Sequence, residues 1–176
     1  MDHHDHVNLI KPANLDEGGS WADLGAGSGA FTFALREVAG STASIHVVDK
    51  DRSSLSQLER EFQSRFGSIE NLHIHTGDFS RPLDLPPLDG VIAANSLHYF
   101  KNKVKVLQHI KSLLKPGGKL IVIEYNVDSG NPWVPYPFSF PTFRKLALDS
   151  GFAEPRLLAT HPSRFLREFY SALNHS

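Results

Sequence analysis

The fold of this chain is decided by the stretch ADLGAGSGA at residues 22–30. The apolar residues at 21–24 predict a buried strand, and those at 31–38 recur at the spacing of a helix. The glycines therefore lie at a strand-to-helix turn. Glycine lets the backbone adopt positive φ and approach a ligand closely, while the N–H groups at the start of the following helix attract an anionic group. The stretch thus predicts a ligand site at the turn.

Two classes of cofactor fit such a turn. Gly25, Gly27 and Ala30 satisfy the dinucleotide pattern, and Asp49 follows at the distance expected of a ribose-binding acid. Asp23 favours S-adenosylmethionine instead, because a carboxylate beside the turn would repel the doubly charged pyrophosphate of a dinucleotide. S-adenosylmethionine has no phosphate and offers an ammonium and a sulfonium with which an acid can pair. In the alternative interpretation, Asp23 only accepts hydrogen bonds from N–H groups of the loop.

Length and composition narrow the function classes. A chain of 176 residues is expected to form one domain, with residues 1–19 as a segment before the first strand. A net charge of -1 gives no long-range attraction to nucleic acid or to an anionic membrane. The absence of cysteine excludes disulfides, thiolate nucleophiles and cysteine metal sites. With no long apolar run and no secretory signal, we expect a cytoplasmic protein, whose oligomeric state the sequence leaves open.

Strand and helix patterns alternate along the chain. Strands are predicted at 43–48, 72–75, 90–94 and 120–125, helices around 55–66, 103–114 and 143–148, and a proline-rich irregular segment at 80–87. Two further β-like stretches, at 155–160 and 167–173, predict a terminal antiparallel hairpin. The pattern indicates an α/β fold of three layers, with helices on both faces of a doubly wound, mostly parallel sheet.

Polar residues follow the predicted strands at the point where each strand ends. Asp49, Asp78 and Asn95 come after strands two to four, and Glu124 with Tyr125 ends strand five. Ligands of such sheets bind outside the carboxyl ends of the strands. We therefore expect these side chains to surround one cleft.

Taken in order, these motifs resemble those of class I S-adenosylmethionine-dependent methyltransferases, from about residue 20 to the C-terminus. The matching segments are residues 23–29, 47–49, 77–79, 89–95 and 114–120. The resemblance implies a seven-stranded sheet whose last strand is antiparallel, S-adenosylmethionine as cofactor and methyl transfer to a small-molecule acceptor.

The resemblance also assigns residues to the cofactor. It implies a cofactor-binding set of Asp23, Gly25, Ala26, Gly27, Gly29, Asp49, Lys50, Asp78, Phe79, Asn95 and Ser96. Within it, the glycine loop would hold the methionine portion, Asp49 the two ribose hydroxyls and Asp78 the adenine amino group. Phe79 would supply a backbone N–H or a packing surface. Lys50 departs from the family, which often has an apolar residue there, although its methylene stem can pack against adenine.

Methyl transfer from a sulfonium requires no nucleophile from the protein, since positioning of the acceptor supplies much of the rate. A hydroxyl or acidic carbon acceptor would need a general base. His98 is the first candidate because its unperturbed pKa lies near neutrality, with Tyr99 beside it. Glu124 and Tyr125 are alternatives. His98 can also be a loop histidine that moves no proton.

The aromatic stretch at 131–143 follows strand five and contains Trp133, Tyr136, Phe138, Phe140 and Phe143. It predicts either a pocket for an apolar or planar acceptor or a lid packed on the sheet. No Asn-Pro-Pro-aromatic motif follows strand four, which disfavours amino groups of DNA or protein as acceptors.

The N-terminal histidines at positions 3, 4 and 6 suggest a metal site, but disorder is the expected state of such a terminus. We therefore assign no metal. Asn95 occupies a position where catechol-type enzymes place an acidic metal ligand, which also disfavours that subclass. Residues 6–12 can instead fold over the cofactor.

Two alternatives to a methyltransferase stay open at this point. The glycine pattern also fits an NAD(P)-dependent reductase, and the lack of an assignable base also fits a non-catalytic regulatory subunit that binds the cofactor.

Overall fold

In the computed structural model, which describes residues 1–176, the glycine turn joins the first strand of the sheet to a helix. The strands are β1 (Ser20–Leu24), β2 (Ser44–Asp49), β3 (Leu72–Thr76), β4 (Leu88–Ala94), β5 (Leu114–Tyr125), β6 (Arg156–Pro162) and β7 (Glu168–His175). The helices are α1 (His3–Ile10), α2 (Ala30–Ala39), α3 (Arg52–Phe66), α4 (Lys103–Leu113) and α5 (Phe140–Asp149), with short 3₁₀ turns at Lys11–Ala13 and Leu97–Tyr99.

The seven strands form one sheet in the order β3-β2-β1-β4-β5-β7-β6. Strands β1 to β5 pair in parallel, whereas β7 is antiparallel to both β5 and β6. This topology confirms the predicted fold, including the terminal hairpin. The strand order reverses at β1, which lies between β2 and β4, and this switch point is where a doubly wound sheet opens a crevice for a ligand.

Both faces of the sheet are covered by helices. Phe33 of α2 and Phe62 of α3 belong to the core on one face, whereas Leu107 of α4 and Phe143 of α5 belong to the core on the other. Side chains alternate between the two cores along each strand, as a pleated sheet buried on both sides requires.

The N-terminal segment is ordered, so the expected disorder of its histidines is wrong. Asp2 caps helix α1, and Val7, Leu9 and Ile10 are buried against the rest of the protein. His3 Nε2 lies 2.8 Å from a carboxylate oxygen of Glu37 on α2. Three apolar side chains in a helix of two turns are too few for the sequence pattern to show, but their burial holds the segment in place.

A cluster of three histidines lies where β2 pairs with β3. The rings of His46 and His73 stack with centroids 4.5 Å apart, and His46 Nδ1 lies 3.1 Å from His75 Nε2. Burial, together with the two neighbouring imidazoles, lowers the pKa of His46 from 6.5 to about 4. The folded protein therefore keeps this ring neutral at a pH where the unfolded chain protonates it.

We expect the cluster to make the fold acid-sensitive. The pKa of His46 is lower in the folded state, so its contribution to stability is present above pH 6.5 and is lost as the pH falls towards 4, by at most about 3 kcal/mol. Urea unfolding of the wild type and of His46→Asn, each near neutrality and at about pH 5, checks this. The variant should lose less stability on acidification than the wild type; equal losses would contradict the assignment.

Candidate active site

A cavity of about 380 Å³ lies at the carboxyl ends of β1, β2 and β4, where the strand order reverses. Its lining residues are Gly25, Asp49, Lys50, Gly77, Phe79, Asn95, Ser96, Tyr99 and Phe100. All but Gly77 and Phe100 are among the site residues predicted from the sequence. The remaining predicted residues, Asp23, Ala26, Gly27, Gly29, Asp78 and His98, do not line this cavity, and neither does any residue of α1.

The glycine turn packs directly against the end of β4. Gly25 has a φ of 81°, and a Cβ placed there would meet the Cβ of Ser96 at 2.6 Å. The hydroxyl of Ser96 donates a hydrogen bond of 2.8 Å to the carbonyl oxygen of Leu24. Gly29, with a φ of 95°, is the N-cap of α2, and a Cβ there would collide with Leu58 and Phe33. Glycine is therefore needed at these two positions both for backbone conformation and for space.

The turn gives a matched pair of variants. Gly25→Ala should lower the free energy of unfolding by about 2 kcal/mol or more, because it combines a positive φ with a collision against Ser96. Gly27→Ala should cost about 1 kcal/mol, since its φ of 53° is strained for alanine but nothing lies within 4 Å of the new Cβ. Urea denaturation measures both. Equal costs for the two variants would show that contact with β4 does not shape the turn.

Asp49 connects the glycine turn to the end of β2. Its Oδ2 accepts the N–H of Gly27 at 2.8 Å, and its Oδ1 accepts the N–H of Asp51 at 2.9 Å. A carboxylate has about four acceptor positions, so two more donors can approach from the cavity. Because a carboxylate already occupies the N–H of Gly27, a pyrophosphate would meet negative charge at this part of the turn.

Asp23 lies beneath the turn and does not reach the cavity, which corrects the expectation that it pairs with a ligand cation beside the turn. Its side chain points towards α2, is 1% exposed and accepts the hydroxyl of Thr32 at 2.6 Å. Burial raises the pKa of Asp23 to about 7 against the effect of the Thr32 hydroxyl, and the charge of Asp49 adds to the rise. The expected repulsion of pyrophosphate therefore belongs to Asp49 more than to Asp23.

Asp78 and Lys50 form an ion pair beside the cavity. Lys50 Nζ lies 2.9 Å from Asp78 Oδ2, while Asp78 Oδ1 accepts the N–H of Ser80 at 3.0 Å and its hydroxyl at 2.7 Å. Partial burial opposes ionisation, but the bonds from Ser80 and Lys50 outweigh it and lower the pKa of Asp78 to about 2. Lys50, expected to pack by its stem, is held at the cavity by this carboxylate.

Asn95 directly follows β4 and has a backbone conformation unusual for a residue with a side chain. Its φ is 52°, and its N–H donates to the carbonyl oxygen of Ile123 at 2.9 Å. Its side-chain oxygen is buried and has no hydrogen-bond partner in the protein. A buried acceptor without a donor costs about 1–3 kcal/mol. Since Asn95 lines the cavity, a bound molecule can supply that donor.

His98 and Glu124, which the sequence offers as alternative candidates, form one buried pair. His98 Nδ1 lies 2.8 Å from Glu124 Oε2, and Glu124 Oε1 accepts the backbone N–H groups of Leu97 at 2.9 Å and of His98 at 3.2 Å. The two side chains are 3% and 0% exposed. A carboxylate only accepts, so the proton of the neutral imidazole lies on Nδ1. His98 Nε2 has no partner, which leaves its lone pair free.

Two tyrosines flank His98. Its ring centroid lies 4.3 Å from that of Tyr99 and 6.3 Å from that of Tyr125. Tyr99 lines the cavity at the glycine turn, whereas Tyr125 lines a second cavity at the end of β5. His98 therefore neighbours one lining residue of each cavity. Burial and the neighbouring Glu124 raise the pKa of Tyr125, so its hydroxyl stays protonated at neutral pH.

The aromatic stretch at 131–143 divides between core and surface. Phe138 and Phe143 are buried around Tyr170, as expected of a segment packed on the sheet. Trp133 is 71% exposed, and its ring lies 6.4 Å from that of Phe165 in the loop between β6 and β7. Phe165 could not be predicted from the sequence, because it lies between the two β-like stretches at 155–160 and 167–173, where no periodicity shows what a side chain contacts.

Comparison with known proteins gives a family match that covers most of the chain. The family model described as "Methyltransferase domain" matches residues 15–147. Among solved structures, the fold is similar to that of a SAM dependent methyltransferase from Aquifex aeolicus, with a TM-score of 0.75 and 19% identity over 97% of this chain and 89% of that one. At this identity the structural likeness concerns the fold alone.

Two curated relatives are similar to parts of the chain. The hybrid PKS-NRPS synthetase lepA of Aspergillus flavus is 31% identical over 108 residues, which are 58% of this chain and 3% of that protein. The ubiquinone/menaquinone biosynthesis C-methyltransferase UbiE of Wigglesworthia glossinidia brevipalpis is 30% identical over 105 residues, which are 59% of this chain and 42% of that protein. The match therefore spans less than half the length of either relative. None of the helices combines the length and apolarity needed to cross a membrane.

Proposed function

This chain belongs to the methyltransferase domain family, and on that premise we propose that it transfers a methyl group from S-adenosylmethionine to a small-molecule acceptor. The family match confirms the resemblance, and with it the cofactor that the sequence predicts. The comparisons give no support to the nicotinamide-dependent reductase or to a non-catalytic regulatory subunit.

The cavity at the glycine turn fits this cofactor, which when bound supplies an electrophilic methyl group on a positively charged sulfur. Asp49 has acceptor positions left for two ribose hydroxyls after binding Gly27 and Asp51. The unpartnered oxygen of Asn95 offers an acceptor for an ammonium group. Phe79 supplies an apolar wall for the adenine, with the ionised Asp78 nearby as an acceptor for its amino group.

The pairing of His98 with Glu124 is the observation that carries the proposed chemistry. Glu124 holds the imidazole with its proton on Nδ1, so Nε2 can take a proton from an acceptor. The bond from hydrogen to the acceptor atom breaks, an N–H bond forms at Nε2, and Glu124 stabilises the resulting imidazolium. The electron pair left on the acceptor atom then attacks the methyl carbon, whose bond to sulfur breaks as S-adenosylhomocysteine leaves.

We infer that the acceptor atom is an acidic carbon. A carbon acid needs a base for activation, which the buried pair provides, and the curated relative UbiE is named as a C-methyltransferase. A hydroxyl acceptor is the second candidate, because the same base can deprotonate a phenol or an enol. The buried position of Nε2 means that the acceptor reaches it only after one of the flanking rings moves, and Tyr99 is the ring with most freedom, at 61% exposed.

The domain organisation, the location and the kind of partner are also part of the proposal. We propose that residues 1–176 act as one domain in the cytoplasm, on a small molecule and not on nucleic acid or a membrane. A net charge of -1 supports this, since it provides no general attraction to polyanions. The proposal assigns no metal to the site, and no three or more His, Asp or Glu side chains are grouped so that they could hold one.

The direct test supplies purified protein with S-adenosylmethionine carrying a trideuteromethyl group. Acceptors are a panel of 1,3-dicarbonyl compounds, hydroxynaphthalenes and simple phenols, and mass spectrometry finds the labelled product. We expect a trideuteromethyl group on carbon. Transfer to oxygen alone would replace the first candidate by the second, and failure of the protein to bind S-adenosylhomocysteine in calorimetry would reject the proposed function.

A further inference from the structure

Lys103, the first residue of α4, carries a buried cation that the proposed mechanism does not use. Only 7% of this residue is exposed, and it forms no ion pair. Lysine is rarely buried unless its charge is paired. A cation in the first turn of a helix is also opposed by the helix dipole, and no acidic residue of that turn compensates for it. The position is thus unfavourable for a lysine that serves packing alone.

Three groups hold the ammonium of Lys103 in place. Its Nζ donates a hydrogen bond of 2.9 Å to the carbonyl oxygen of Phe100. It also lies 5.0 Å from the ring centroid of Phe138 and 5.8 Å from that of Tyr136, within the range of a cation–π interaction. Burial lowers the pKa of Lys103, and the negative charge of Glu124 opposes this shift. The side chain thus connects the aromatic stretch to the residues that follow β4.

A second contact joins the same two segments. The N–H of Tyr136 donates to the carbonyl oxygen of His98 at 3.0 Å. The carbonyl groups of His98 and Phe100 are therefore both held, and Tyr99 lies between them in the chain. The ring of Tyr99 lines the cavity at the glycine turn and lies 4.3 Å from that of His98. The two contacts thus restrain the backbone on either side of Tyr99.

The freedom of Tyr99 governs access to the base in the proposed mechanism. His98 Nε2 is buried, so an acceptor reaches it only when a neighbouring ring moves. Tyr99 is 61% exposed, which leaves its ring room to turn outwards, but the two restrained carbonyl groups resist a shift of the backbone that carries it. Glu124 holds His98 separately, through the imidazole and two backbone N–H groups. The base can therefore keep its orientation while Tyr99 moves.

We propose that Lys103 is a positioning residue that holds Tyr99 against His98 and so sets how often the base is open to the acceptor. The inference rests on the proposed function, since it takes His98 as the base. Lys103 touches no reacting atom and acts through the carbonyl oxygen of Phe100 and the rings of the aromatic stretch. Because a ligand binds only the fraction of molecules that are open, a weaker restraint on Tyr99 should raise the apparent affinity for the acceptor.

Amide hydrogen exchange, followed by NMR, measures the restraint without any acceptor. In Lys103→Met, which keeps the length of the side chain without its charge, the N–H groups of Tyr136 and Phe100 should exchange about tenfold faster. The N–H of Asn95, which bonds to β5 just before the turn, should exchange at an unchanged rate. Lys103→Arg, which keeps the cation, should restore the wild-type rates. Lys105→Met, at an exposed lysine of the same helical turn, is the matched control and should change none of them.

Acylation by diethyl pyrocarbonate measures access to the base itself. The reagent attacks an unprotonated imidazole nitrogen, and mass spectrometry of the peptide that contains His98 gives the rate. This rate should rise about tenfold in Lys103→Met and stay at the wild-type value in Lys103→Arg and Lys105→Met. Tyr136→Leu keeps the backbone bond to His98 but removes one exposed ring beside the ammonium, and should raise the rate about threefold.

Kinetics separate this role from a loss of packing. With an acceptor that becomes methylated in the labelled-cofactor test, Lys103→Met should lower the acceptor KM about fivefold and change kcat by less than about twofold. A higher KM or a strongly reduced kcat would overturn the inference, as would wild-type acylation rates in Lys103→Met. If that variant does not fold, a wild-type acylation rate in Tyr136→Leu would overturn it. Failure of the wild type to bind S-adenosylhomocysteine would instead reject the proposed function, whereas the exchange rates test the restraint by themselves.

Discussion

Replacing His98 with glutamine should lower the rate of methyl transfer by about 10²–10⁴-fold, the usual contribution of a positioned general base. The affinity for S-adenosylhomocysteine should stay unchanged, because His98 does not line the cavity at the glycine turn. Glutamine keeps the size of the side chain without a titratable nitrogen. Single-turnover transfer from labelled S-adenosylmethionine measures the rate, and calorimetry measures the affinity.

Two further variants test whether His98 acts as a base or only packs in the core. Glu124→Gln should keep an oxygen for the backbone N–H groups of Leu97 and His98 but present an amide donor to His98 Nδ1, which favours the wrong tautomer. Its rate should fall while the acceptor KM changes little. His4→Gln, an exposed histidine on α1, should behave as the wild type. A His98→Gln protein of normal rate and stability would remove His98 from the reaction.

Replacing Asp49 with alanine should weaken the binding of S-adenosylhomocysteine by about tenfold to a hundredfold. The substitution removes the acceptor for the ribose hydroxyls and also frees the N–H groups of Gly27 and Asp51, so the turn loses the contact that orients it. Asp49→Asn keeps one acceptor oxygen, so its affinity for S-adenosylhomocysteine should lie between those of the alanine variant and the wild type. Calorimetry with S-adenosylhomocysteine measures all three proteins.

Asp51 provides the matched control for this effect. Its carboxylate caps α3 by accepting the N–H of Ser53 at 2.9 Å and the hydroxyl of Ser54 at 2.7 Å, and it does not line the cavity. Asp51→Ala should therefore cost about 1 kcal/mol of stability and leave the affinity for the cofactor product intact. If Asp49→Ala and Asp51→Ala weakened binding equally, the loss would reflect the loop between β2 and α3 and not the ribose contact.

The features that local sequence determines were predictable. The turn at residues 22–30 combines an apolar strand, three glycines and the beginning of an amphipathic helix, all of which show in the local pattern. The polar residues that follow the other strands lie near this turn because the strands are parallel. The same logic places Asp49, Asn95 and Tyr99 in one cavity. Each of these positions depends on where a strand ends, which periodicity shows well.

Contacts between distant elements were harder to anticipate. The sequence predicts Asp23 beside the turn with a ligand cation to pair with, whereas strand alternation directs its side chain towards Thr32 of α2. The pairing of His98 with Glu124 joins residues on two elements and depends on the register of β4 against β5. Helix α1 and the contact of Phe165 with Trp133 likewise depend on packing between segments far apart in sequence, which no local pattern encodes.

The central claim is that Glu124 fixes His98 with a bare Nε2 ready to accept a proton, and nitrogen NMR of protein labelled at its histidine rings tests it most directly. The His98 signals are those lost in His98→Gln, which distinguishes them from the nine other histidines in a chain that contains 10. We expect the neutral ring to carry its proton on Nδ1 and none on Nε2, with this preference weakened in Glu124→Gln. A proton resident on Nε2 in the wild type would contradict the account, because that nitrogen then has no lone pair with which to act as a base.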